Sequence, residues 1–213
     1  MATDPAHDIT AHPLYVIGIS GGVGAGKSTL VEALKRHLAN STVLHFDLYE
    51  RMTEASMDRL SEWMEAGSDP QSVSAPGLAE ELGRLKMSGP PGSQARNEYL
   101  LFETPLGRRH TQSGQHIDLL VWLETPLDIA LARKLRQLVT DRSLETTRAA
   151  GPAGWLVGYL DNYLSFVARL MRIQAASVAA QADLVLDGEL PVGRLVQLVD
   201  QWLKARAATP GRT

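Results

Sequence analysis

A short apolar run, Leu14 to Ile19, leads directly into Gly21-Gly22-Val23-Gly24-Ala25-Gly26-Lys27-Ser28, and a helical pattern leaves that loop over Lys27 to Ala39. The loop matches G-x-x-x-x-G-K-[ST] at every fixed position. This succession constrains the fold more than any other feature of the chain, because such a loop works only where a strand delivers it to a helix N-terminus. Glycines let the backbone curl so that successive N–H groups converge on phosphate oxygens, and the helix start adds a favourable partial charge. Lys27 is then spaced to reach the β- and γ-phosphates, and Ser28 to offer a hydroxyl to magnesium. ATP with Mg2+ is the expected ligand, held by Gly21, Gly22, Val23, Gly24, Ala25, Gly26, Lys27, Ser28 and Thr29. A dinucleotide fingerprint fails, since Gly22-x-Gly24 would require a glycine where Lys27 stands.

Four further apolar runs read as strands: Thr42 to Phe46, Tyr99 to Phe102, Leu119 to Leu123 and Leu184 to Leu186. They do not alternate cleanly, as expected for strands covered on both faces of a parallel sheet. Helical patterns lie between them. Gly77 to Lys86 is one. A second opens at Thr125-Pro126, with Thr125 as the expected N-cap. Trp155 to Gln181 reads as one long helix or a broken pair, and a last helix runs from Pro191 to about Ala207. Residues 66–77, 88–97 and 140–154 are rich in glycine, proline and polar residues and read as breaks or loops. Alternating strands and helices predict an α/β domain with a parallel sheet. We expect residues 1–213 to form that single domain, with 1–12 and 208–213 as flexible tails.

Ligands of open parallel sheets bind beyond the C-terminal strand ends. Asp47 follows the second strand and Glu103 ends the third, so two carboxylates are expected beside the phosphate loop. Asp47 suits a base toward an acceptor hydroxyl, a reading favoured over a helix N-cap for the segment after it. Ser28, Glu103 and Asp47 are the magnesium candidates. On the helix after the fourth strand, Arg133 and Arg136 share a face and suit a phosphate clamp on a lid, with Lys134 pointing elsewhere. Arg108 and Arg109 offer weaker contacts to an anionic substrate. His45 reads as a packed strand histidine, and His110 and His116 as residues of a polar loop. Tyr49, Trp63, Tyr159 and Tyr163 read chiefly as core.

Composition excludes several classes. The 213 residues lack cysteine, which removes disulfides, thiolate metal sites and cysteine nucleophiles. A formal net charge of -3 gives no overall pull toward nucleic acid or anionic membrane. No apolar run reaches the roughly 18 residues of a membrane span, and no leader-like segment stands at the start, so a cytoplasmic protein is expected.

Taken with their order, GISGGVGAGKST (Gly18 to Thr29), Asp47-Leu48-Tyr49, Phe102-Glu103, PLDIALARKLR (Pro126 to Arg136) and ADLVLDG (Ala182 to Gly188) make the chain resemble the phosphoribulokinase/uridine kinase group of P-loop kinases. The resemblance implies a three-layer P-loop NTPase fold with a five-stranded parallel sheet in the order 2-3-1-4-5 and a small lid. It implies Asp47 as the base, Glu103 as support for magnesium, Arg133 and Arg136 as lid arginines, and catalytic roles for Asp47, Lys27 and Arg133. A homodimer is also consistent with it. Three positions depart from the group's pattern: Thr104 follows Glu103, Lys134 stands beside Arg133, and Gln137 follows Arg136. The expected activity is transfer of the γ-phosphate of ATP to a hydroxyl of a nucleoside, sugar or related small alcohol. A nucleoside monophosphate kinase and a nucleotide-dependent switch without an acceptor remain alternatives.

Overall fold

The structure, a computed structural model, describes residues 13–51, 57–88, 98–140 and 151–208. The expected tail 1–12, most of the other tail, residues 89–97 of the expected loop 88–97 and residues 141–150 of the expected break lie outside these. The described strands are β1 (Tyr15–Gly21), β2 (Ser41–His45), β3 (Tyr99–Glu103), β4 (Leu119–Glu124) and β5 (Leu184–Asp187). They form one parallel sheet in the order β2-β3-β1-β4-β5. The sequence reading of the sheet therefore holds in strand number, direction and order.

Alternate residues of each strand feed two cores. Val16, Leu100, Phe102, Leu120 and Trp122 face one side, where they meet Leu78, Leu82 and Leu85 of helix α3 (Leu78–Ser88) and Val178 of helix α7 (Ala168–Val178). Ile17, Ile19, Leu101, Leu119, Val121 and Leu123 face the other, against Leu30, Val31 and Leu34 of α1 (Lys27–His37) and Leu195, Val196 and Val199 of α8 (Val192–Ala207). Because both faces are covered, the strands carry continuous apolar runs instead of alternating ones. The leucines of α3 and the apolar residues of α1 recur at three- and four-residue spacing, which puts them on the face that meets the sheet.

Four further helices are described: α2 (Met57–Glu65), α4 (Thr111–Gly114), α5 (Leu127–Thr140) and α6 (Gly151–Asn162). The sequence reading gave no helix at α2, whose inward side carries Met64 and the partly buried Trp63. The break expected at Gly151-Pro152 is instead the start of α6. Proline is tolerated in a first turn, where its missing N–H would have no helical partner. From α6 the chain stays helical through a π-helical segment, Tyr163–Val167, into α7 and a closing 3-10 turn, Ala179–Gln181. Trp155 to Gln181 is thus one rod with a local change of pitch. Among the described residues, no helix is long and apolar enough to cross a membrane.

Candidate nucleotide and phosphoryl-transfer site

The glycine-rich loop lies where β1 ends and α1 begins. Gly24 and Gly26 adopt left-handed backbone, with φ of 79° and 102°. At Gly24 a side chain is excluded twice over, because a Cβ there would overlap the Ala130 carbonyl of α5. No side chain caps the start of α1. Its first-turn N–H groups are therefore open to an anion. Lys27 folds back over the loop, its Nζ donating to the carbonyls of Gly21 and Gly22, each at 3.0 Å. Burial pushes the pKa of this ammonium down. Glu103 and Asp47 act the other way, and Lys134 adds to the lowering.

Register brings the carboxylates in. Glu103 pairs across the sheet with Ile19 of β1 and with His45 of β2. Ser28 Oγ donates to Glu103 Oε1 at 2.9 Å, and His45 Nδ1 donates to Glu103 Oε2 at 2.8 Å. His45 is therefore not the packed strand histidine that its position suggested. It is half-exposed and bound to the site carboxylate. Asp47 sits within a single 3-10 turn, Phe46–Leu48, whose N-cap is His45, so it does not serve as a cap. Among the described residues its carboxylate accepts no hydrogen bond. Much of Asp47 is exposed, yet the protein around its carboxyl strips enough water to push its pKa up. The Lys27 ammonium opposes that rise, while Glu103 and Glu50 add to it.

The opposite wall belongs to α5. Arg133 Nη1 donates to the Gly188 carbonyl at 2.9 Å and lies 3.5 Å from the Ala25 carbonyl, tying the helix to both the loop and the end of β5. Arg133, Arg136 and Lys134 all line one cleft of about 880 Å³ together with the loop, Asp47 and Glu103. Lys134 thus does not point away, as the helical spacing had suggested. Leu190, Val192 and Leu195 give the same cleft an apolar side next to Gly188. Thr125 does not cap α5 either. The helix begins two residues later, with the Pro126 carbonyl accepting from Ala130 N, and the Thr125 hydroxyl donates to the Ala25 carbonyl at 3.3 Å.

Other candidates lie elsewhere. Arg108 is engaged by Asp183 at 2.6 Å and by the Gln181 carbonyl, at the end of the rod, and is not directed at the cleft. His110 is buried, not in a polar loop: Nδ1 meets Ser113 Oγ at 2.8 Å, Nε2 meets the Val73 carbonyl at 3.2 Å, and Phe46 stands edge-on to the ring. Tyr163 is core, its hydroxyl donating to the Leu127 carbonyl.

No known protein-family profile matches the chain. A curated relative, a uridine kinase from Halobacterium salinarum, is 24% identical over 192 residues, covering 82% of this chain and 80% of that protein. Among solved structures, shikimate kinase from Acinetobacter baumannii in complex with shikimate superposes with a TM-score of 0.52 at 18% identity, over 92% of this chain and 96% of that one. Shikimate kinase from Aquifex aeolicus gives 0.46 at 18% identity, over 92% and 99%. The chain has the P-loop NTPase fold. In that fold the loop at the end of the central strand, the helix behind it and the acids ending the neighbouring strands face one cleft, as they do here.

Proposed function

We propose that this chain is an ATP-dependent kinase that transfers the γ-phosphate to a hydroxyl of a small molecule, with a nucleoside, sugar or related alcohol as acceptor. One observation carries the reading: an uncapped, lysine-bearing phosphate loop shares a single cleft with a carboxylate that has no hydrogen-bond partner among the described residues, Asp47. A nucleotide switch without an acceptor would need no base toward a hydroxyl, the role proposed for Asp47. The uridine kinase similarity supports the nucleoside arm of the proposal. The ion pair of Arg108 with Asp183 removes one cation that a monophosphate acceptor would need.

Phosphoryl transfer asks a protein mainly for positioning and charge stabilisation. The N–H groups at the start of α1 bind phosphate oxygens. Lys27 exchanges its loop carbonyls for the β- and γ-phosphates, where a desolvated ammonium acts strongly. Arg133, with Arg136 and Lys134, clamps the phosphates from α5. Asp47 accepts the proton of the acceptor hydroxyl, and its raised pKa makes it a better base than an ordinary aspartate. The donor set suits magnesium. Ser28 and Glu103 are hard oxygen donors in contact, and no cluster of three metal-binding side chains exists among the described residues. An ion that takes one carboxylate and completes its shell with phosphate and water fits that set. Held by Ser28 and Glu103, magnesium would supply positive charge against the negative charge of the transferring phosphate.

The test is ADP release with ATP, Mg2+ and a panel of nucleosides, sugars and small alcohols. Release that rises with one acceptor class is expected, and release indifferent to every acceptor would sink the proposal. Asp47→Asn should lower transfer by about 10²- to 10⁴-fold while ATP affinity stays near that of the parent. Retained turnover would remove Asp47 as the base.

A further inference from the structure

We infer that His45 is a positioning residue for the metal-accepting pair, holding Glu103 on Ser28 and away from Lys27. The inference rests on the nucleotide-site reading above. Its basis is that both oxygens of Glu103 are held by separate donors from separate elements. Oε1 takes the Ser28 hydroxyl of α1 at 2.9 Å, and Oε2 takes His45 Nδ1 from β2 at 2.8 Å. Two donors at opposite oxygens fix the plane of the carboxylate, where one would leave it free to turn. Lys27 is the alternative partner, since it lines the same cleft as Glu103 and its ammonium is attracted by that carboxylate. A carboxylate that swung onto Lys27 would quench the cation meant for phosphate and vacate the hydroxyl meant for metal.

The placement of His45 supports a role beyond packing. It is the last residue of an edge strand, its side chain is 37% exposed, and β2–β3 register sets it directly opposite Glu103. A ligating carboxylate held by a further hydrogen bond is a familiar means of setting metal affinity, and removing such a partner costs about 10- to 100-fold.

The experiment reads metal binding without turnover. Free Mn2+ is measured by electron paramagnetic resonance against the full chain saturated with ADP, and ADP affinity is measured separately in EDTA. His45→Leu should weaken Mn2+ binding by about tenfold or more. His45→Asn, whose amide N–H can stand in for Nδ1–H, should keep it within about threefold of the parent. Neither should change ADP affinity in EDTA. In a Glu103→Gln background, His45→Leu should add nothing. Parental Mn2+ affinity in His45→Leu, an equal loss in His45→Asn, a loss of ADP affinity in EDTA, or a loss that persists in the Glu103→Gln background would each overturn the inference alone. A parent that binds neither ADP nor Mn2+ would overturn the nucleotide-site reading with it.

Discussion

Ser28 and Glu103, 75 residues apart in sequence, meet at 2.9 Å where the phosphate loop's helix passes the end of β3. The hydroxyl belongs to a helix start and the carboxylate to a strand end, so only a parallel β1–β3 pair brings them together. If they share magnesium, they act as one unit. Ser28→Ala and Glu103→Gln should each raise the Mg2+ concentration for half-maximal ADP release by roughly tenfold or more. The double variant should lose much less than the product of the two single losses. A Mg2+ titration of acceptor-dependent turnover measures this, and fully multiplicative losses would separate the two residues.

Lys27 is an ammonium with its pKa lowered by burial, resting on the carbonyls of Gly21 and Gly22. Its replacement by methionine keeps the apolar stem and removes a desolvated charge. A lowered pKa means that burial holds this charge at a cost to the folded state, a cost the exchange removes along with the bonds to the two carbonyls. Lys27→Met should therefore unfold in urea at or above the parental midpoint, while turnover falls by about 10²-fold or more through loss of a transition-state cation. A large drop in the midpoint would mean that the lysine is chiefly structural.

Gly24 and Gly26 both have positive φ, but only Gly24 is crowded by a neighbour. Gly24→Ala adds overlap with the Ala130 carbonyl to backbone strain and should cost about 1–3 kcal/mol or more. Gly26→Ala meets open space and carries the strain alone, roughly 1 kcal/mol. Urea midpoints should rank the parent above Gly26→Ala and Gly26→Ala above Gly24→Ala. The reverse order of the two variants would contradict the close packing of the loop on α5.

The sheet and the outline of this cleft were legible because they follow from local patterns. Apolar runs gave the strands, acids directly after apolar runs gave Asp47 and Glu103, and the strand order came from the resemblance to the phosphoribulokinase/uridine kinase group. What stayed hidden depends on tertiary register. The partner of His45 is Glu103 only because β2 pairs with β3 residue for residue. The Thr125 hydroxyl bypasses its own helix for a carbonyl 100 residues earlier. Lys134 reaches the cleft because α5 lies along it over a face wider than one stripe, which the spacing of Arg133 and Arg136 alone does not reveal. The π-helical segment at Tyr163–Val167 has no counterpart in the apolar pattern.

His110 supplies a test of the fold that is independent of any ligand. Its ring is buried between Ser113, Val73 and Phe46, and burial pushes its pKa below the ordinary histidine value, with the bond to the Val73 carbonyl opposing in part. The unfolded chain therefore takes up a proton at a higher pH than the folded one. By linkage, the native state loses stability as pH falls below about 6.5 toward the lowered folded-state pKa, by at most about 1.4 kcal/mol per pH unit from this one group. His116, also shifted down by burial, contributes in the same direction. His110→Gln keeps a polar side chain but cannot titrate. It should be less stable than the parent near neutrality, since no ring fills the site against Phe46, and that deficit should narrow as pH falls from about 6.5. Thermal unfolding of both proteins across that range measures the difference, and a deficit that stays constant or widens would show that His110 is not held neutral by the fold.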